Sequence, residues 1–216
     1  MVRTYRAERN QAVLVLLDNG RVMAGQVAEV PRVEHAMDAL MCLTTVATRL
    51  GDRCGLVAFD RTVRTVIPAR AARDQTGRVA DALSDLEPVL AESDYRGAFA
   101  HALARFRRRS LIVLFTDLVE QAVGESLLPA LPLLVRHHLV VVAAVRDPDV
   151  VRWATAAPDG PAEAYRATAA TMALAERERA AGRLRALGAV VVDEPPGRLA
   201  PRLADTYLDV KAGGRL

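Results

Sequence analysis

The chain has 216 residues, of which 51% are hydrophobic and 25% charged, and its net charge is +3. That length and apolar content suit one globular domain with a substantial core. Aromatic residues make up only 4%, so aliphatic side chains must fill the core, and the composition argues against a base-stacking platform for nucleic acid.

The positive charge is almost all arginine, since Lys211 is the only lysine. The densest basic run is Arg105, Arg107, Arg108 and Arg109. It closes a predicted helix, where cations suit the macrodipole. A solvated helix end is the plain reading, and contact with an anionic partner is the alternative. Cys42 and Cys54 sit in neither a CxxC pair nor a metal-ligand spacing, which points to free thiols in a reducing compartment, with a bridge between them as the alternative. No apolar leader follows Met1, and no run of about 18 apolar residues could span a bilayer. A soluble domain or soluble fragment is therefore expected.

In chain order, Gln11 to Leu17 (QAVLVLL) is a short apolar run that suits a strand buried on both faces. Asp18-Asn19-Gly20 ends it, with a loop expected through Glu29. Pro31 suits the first turn of a helix. The apolar spacing from Val33 to Leu50 carries that helix to Gly51. Cys54 to Phe59 is a second buried strand. After an Asp60-Arg61 turn, the alternating stretch Thr62 to Ile67 predicts an antiparallel edge strand. Helices are expected near Thr76 to Leu86 and Tyr95 to Arg107, the second capped by Ser93 or Asp94. Leu111 to Thr116 (LIVLFT) is another buried strand, ended by Asp117. Gly124 to Pro132 is loop-like, with a short helix over Pro129 to His137. Leu139 to Val145 is a strand, and Ala157 to Pro161 is loop-like. A long helix spans Ala162 to Leu187, followed by the last strand, Val190 to Asp193, and an amphipathic segment, Leu199 to Leu208.

Alternating strands and helices predict a three-layer, doubly wound α/β fold. Its central sheet is mostly parallel with one antiparallel edge strand, and one domain accounts for residues 1–216. In such sheets ligands bind beyond the carboxyl ends of strands, where strand order reverses. Asp18 and Asp117 end two buried strands, and Asp94 precedes a helix. Clustered carboxylates repel unless a cation or protons intervene, and magnesium favours oxygen ligands of this kind. Capping of turns and helices is the competing role for each aspartate. There is no GxxxxGK[ST] loop, GxGxxG turn or GxSxG elbow. His137-His138 would face opposite ways on a strand, so neither a zinc site nor a nucleophile–base pair is legible.

Five stretches in order carry a resemblance: ERNQAVLVLLDNGRVM (Glu8 to Met23), RVEHAMDAL (Arg32 to Leu40), GDRCGLVAFD (Gly51 to Asp60), RRRSLIVLFTDL (Arg107 to Leu118) and RHHLVVVAAVRDP (Arg136 to Pro148). Together they resemble the bacterial domain-of-unknown-function family number 58 (DUF58), whose conserved region is similar to a von Willebrand factor A domain. The resemblance implies a first strand lying beside LIVLFT. It also implies a MoxR-type AAA ATPase as partner, and a cytoplasmic domain tethered to the inner face of the membrane in longer members.

Von Willebrand A domains usually carry a metal-ion-dependent adhesion site with a DxSxS motif after the first strand. Asp18 matches its acid, while Gly20 and Val22 stand where the serines would be, with Asn19 and Arg21 between them. Asp94, beside Ser93, takes the place of the usual threonine, and Asp117 matches the acid of the TD pair. The implied site is degenerate, with its three hydroxyls gone. Asp18, Asp94 and Asp117 are the candidate metal or partner ligands, lined by Ser93 and residues 19–22. Magnesium held through waters and a metal-free site with Arg21 paired to the acids are both consistent with this set. The implied function is a non-catalytic protein-interaction module. The alternatives are a magnesium-dependent phosphoesterase or nuclease using clustered aspartates, disfavoured by the absence of a general base or a nearby lysine, and a structural domain that assembles with itself.

Overall fold

A computed structural model describes residues 11–106 and 108–214. Residues 8–10 of the first matching stretch, and Arg107 of the basic run and its predicted helix, lie outside the described residues.

The first apolar run folds as β1 (Ala12–Asp18), buried along its whole length. The segment expected as a loop contains a short helix α1 (Arg21–Ala24) and a tight hairpin of β2 (Gln26–Val27) and β3 (Val30–Pro31). Ala28 and Glu29 turn that hairpin at φ of 50° and 64°, the left-handed region that a two-residue turn demands. Helix α2 (Arg32–Arg49) follows. Pro31 sits at its N-cap rather than inside its first turn, and Gly51 leaves it at φ 78°, where the missing Cβ removes the steric penalty. Strands β4 (Arg53–Phe59) and β5 (Val63–Arg70) form the expected antiparallel pair. Then come α3 (Gln75–Ser84), α4 (Tyr95–Arg105) and β6 (Leu111–Phe115).

Residues 120–135 depart in part from expectation: the short helix expected over Pro129 to His137 is present in pieces, but the loop expected from Gly124 is helical as well. They form a broken helical run of α5 (Glu120–Ala122), a π turn (Val123–Leu127), α6 (Leu128–Ala130) and α7 (Pro132–Val135). Val123, Leu127, Ala130, Leu131 and Leu134 recur at helical spacing and are buried. That burial outweighs Gly124, while Pro129 and Pro132 each remove a backbone donor and break the run. Next is β7 (Leu139–Val145) and then α8 (Pro148–Thr155), which was not anticipated. Its signal is Asp147-Pro148: the Asp147 carboxylate accepts from the Asp149 amide at 2.8 Å, and proline fits the first helical position. Helix α9 (Pro161–Ala186), β8 (Val190–Glu194) and α10 (Pro196–Ala212) complete the chain.

The sheet order is β5-β4-β1-β6-β7-β8, with only β4–β5 antiparallel. Period-two alternation splits β1 between two cores. Val13, Val15 and Leu17 pack against α2, α3 and α10, whereas Leu14 and Leu16 pack against α4, the 120–135 run and α9. Strand β1 lies between β4 and β6, so the chain moves outward in one direction to β4 and β5 and returns to the other side at β6. The carboxyl ends of β1 and β6 therefore mark the switch point.

Cys54 is buried with its Sγ 3.5 Å from the Thr44 hydroxyl, Cys42 is half-buried, and both are free thiols. Burial pushes the Cys54 thiol up to about 11, which keeps it protonated and unreactive.

Candidate functional site

Asp18 ends β1 and is completely buried. Its Oδ1 accepts from the Gly20 amide at 2.9 Å and the Ser93 hydroxyl at 2.5 Å. Its Oδ2 accepts from the Tyr95 hydroxyl at 2.6 Å and the Thr116 hydroxyl at 2.7 Å. Tyr95 and Thr116 also touch one another, oxygen to oxygen, at 2.8 Å. Tyr95 is held at the start of α4 by edge-on packing against Phe59 and Phe99, and Thr116 immediately follows β6. Burial pushes the Asp18 carboxyl up, against the lowering effect of its hydrogen bonds to Ser93, Tyr95, Thr116 and Gly20.

Three hydroxyls thus surround Asp18, none of them from positions 20 to 22. A Cβ placed on Gly20 would lie 2.1 Å from the Ser93 Oγ and 2.8 Å from the Ala91 carbonyl. A serine at position 20 would collide with the hydroxyl that now serves Asp18. Tyr95 and Thr116 were not singled out from the sequence, although each adjoins an aspartate that was.

Asp117 follows β6 but turns to another set of partners. Its Oδ1 accepts from Arg177 Nη1 at 2.6 Å, and its Oδ2 lies 3.4 Å from Arg32 Nε. Arg177, on α9, also grips Asp193 of β8 through Nε and Nη2 at 2.8 to 3.1 Å, and donates to the Val145 carbonyl at 3.1 Å. Burial works against the arginine's charge. The carboxylates of Asp117 and Asp193 more than offset it and hold the guanidinium firmly protonated.

Asp94 caps α4, its Oδ1 accepting from the Gly97 amide at 2.9 Å. It is exposed and shares no partner with Asp18. Asn19 is buried and donates to the Glu87 carbonyl at 2.6 Å. Val22 packs at the margin of one core. Arg21 corrects an expectation: its guanidinium pairs with exposed Glu92 rather than with Asp18 or Asp117. Asp18 is enclosed by hydroxyls, and the cation for Asp117 arrives from α9.

The acids along this end of the sheet are each occupied. Asp60, buried after β4, accepts from Arg64 Nε at 2.6 Å, Asp147 caps α8, and Arg146 and Arg198 lie near Glu194. Among the described residues no group of three or more His, Cys, Asp and Glu side chains is disposed to hold a metal ion. The donors present do not fit magnesium. Both Asp18 oxygens are saturated by hydrogen bonds, and Asp117 already faces a guanidinium. A cleft of about 200 Å³ opens beside the Asp117–Arg177 pair, lined by Leu118, Val119, Val150, Leu174, Arg32 and Arg146, among others.

Among curated proteins, none matches this sequence. Solved structures share the fold. BatB from Bacteroides thetaiotaomicron superposes with a TM-score of 0.56 at 15% identity, covering 94% of this chain and 99% of that one. The SpRpn10 VWA domain gives 0.52 at 15% identity over 86% and 88% of the two chains. A mutant of the PilB minor pilin from Streptococcus sanguinis gives 0.57 at 10% identity over 94% and 61%. The architecture is accordingly von Willebrand factor A-like, as its strand order and switch point already indicated. Residues 1–185 match the family described as "Protein of unknown function DUF58", and the chain belongs to that family.

Proposed function

We propose that this chain is a non-catalytic protein-interaction module that meets its partner at the carboxyl end of the sheet, with a MoxR-type AAA ATPase as that partner. A degenerate adhesion site lies beneath the contact and shapes it without ligating a metal. The observation that carries this reading is the cleft beside Asp117. Val119 is 43% exposed at its rim, next to buried Leu118 and half-buried Val150 and Leu174, with Arg32 and Arg146 alongside. An apolar floor edged by Arg32, Arg146 and Arg177 together with Glu120, Asp147 and Glu176 suits a partner segment that sets an apolar side chain among polar groups of both signs. The surrounding acids serve as ion-pair or hydrogen-bond acceptors, and the Ser93, Tyr95 and Thr116 hydroxyls that touch Asp18 are spent as donors to it. The inner face of the bacterial membrane is the proposed place of action, as a tethered domain. Among the described residues, no helix is long and apolar enough to cross a membrane.

Calorimetric titration against the MoxR-type ATPase of the same bacterium tests the reading. Saturable binding is expected, weakened at least about tenfold by Val119→Arg, because a charge there meets an apolar contact (about 1.4 kcal/mol per tenfold). Absence of binding would refute the partner. Magnesium-dependent phosphoester hydrolysis that disappears in Asp18→Ala would refute the non-catalytic reading.

A further inference from the structure

We infer that Arg177 is a built-in substitute for a divalent cation, so that the strand-tip crevice is complete, charge-balanced and closed to metal as folded. The inference rests on side-chain geometry alone and holds whichever partner the chain binds.

Asp117 and Asp193 leave neighbouring ends of the parallel sheet, with β7 between their strands. Two carboxylates brought together in a poorly solvated place need a positive charge between them. Arg177 supplies it. Its Nη1 serves Asp117, its Nε and Nη2 form a fork on Asp193, and Nη2 also reaches the Val145 carbonyl at the end of β7. One guanidinium therefore joins β6, β7 and β8 through oxygen acceptors and supplies the positive charge they share. The side chain is only 14% exposed and that of Asp117 only 3%. Arg32 adds a second positive charge at 3.4 Å on the other Asp117 oxygen. A divalent ion entering here would have to displace a bidentate ion pair and meet two guanidinium groups.

Asp18 is closed by different means. Its four donors are the Gly20 amide and three hydroxyls, Ser93 just before α4, Tyr95 at its start and Thr116 after β6. Ser93 occupies the space that a side chain at position 20 would need. An ion at Asp18 would have to evict hydroxyls packed into the sheet end, and Asp117, its co-ligand in an adhesion site, is already committed to α9.

Manganese titration followed by the electron paramagnetic resonance signal of the free ion tests this on the whole chain. Wild-type protein should leave the free manganese signal undiminished at millimolar metal. Arg177→Ala, which uncovers Asp117 and Asp193, should acquire one-to-one manganese binding, and Arg177→Lys, which keeps the charge, should not. One-to-one binding by the wild-type chain that is lost in Asp117→Asn would overturn the inference. So would an Arg177→Ala variant that folds, as judged by circular dichroism, and takes up no manganese. Should Arg177→Ala fail to fold, the wild-type and Asp117→Asn titrations still decide.

Discussion

Asp18 shows how one buried carboxyl can be specified by neighbours far away in sequence. Three oxygens, its own Oδ2 and those of Tyr95 and Thr116, lie mutually 2.6 to 2.8 Å apart. If Asp18 is ionised, both hydroxyls donate to it and their own contact has no proton to spare. If Asp18 is protonated, each of the three contacts can hold one. Burial pushes the carboxyl above its ordinary value of 3.8, so the folded state holds that proton at pH values where the unfolded chain has released it. The associated stability is present below the unfolded pKa and is lost as pH rises through the folded pKa. Urea unfolding of wild type and Asp18→Asn across this range should show the wild type gaining stability relative to the variant as pH falls. A constant difference would contradict the shift. Neither Tyr95 nor Thr116 was legible as a partner from sequence, because a hydroxyl's role depends on which strand tip lies opposite it. Arg177 was hidden for the same reason: within a long helix it resembles any other surface arginine.

At the scale of elements, the strands were legible and several helices were not. Continuous aliphatic runs such as LIVLF and LVVVAAV have one stable place, the middle of a parallel sheet, and both fold there over nearly the expected bounds. Within the 120–135 run, the helix over Pro129 to His137 was legible in outline, but the stretch from Gly124 defeated local reading because glycine and two prolines signal a loop, whereas burial against the sheet imposes helical turns between those breaks. Helix α10 runs longer than its amphipathic core, from Pro196 to Ala212, since its far end is fastened to the start of β4. Asp52 is buried and accepts from the Tyr207 hydroxyl, from Lys211 Nζ at 2.7 Å and from the Gln11 amide at 3.0 Å. Asp52→Ala would strand the buried Tyr207 hydroxyl and free the last turns of α10. The expected loss is about 1–3 kcal/mol in denaturant unfolding, with faster amide exchange at Val210 and Lys211. Unchanged stability would show that apolar packing alone holds α10.

Across the whole molecule, the carboxyl end of the sheet forms one electrostatic surface in which acids are matched to arginines, hydroxyls or backbone amides. The reversal of strand order places this surface. The sequence places Asp18 and Asp117 at the ends of two buried strands, and only the family resemblance implies that those strands are neighbours. The division of the two acids into a hydroxyl-lined pocket and a guanidinium clamp depends on α4 and α9 reaching the same end of the sheet, which is a tertiary event. The most direct measurement is a crystal structure grown in millimolar manganese, with anomalous scattering recorded at the manganese edge. The account predicts no anomalous peak at the strand tips and an Arg177 side chain bridging Asp117 and Asp193. A manganese peak coordinated by Asp18 and Asp117, with Arg177 swung away, would contradict it.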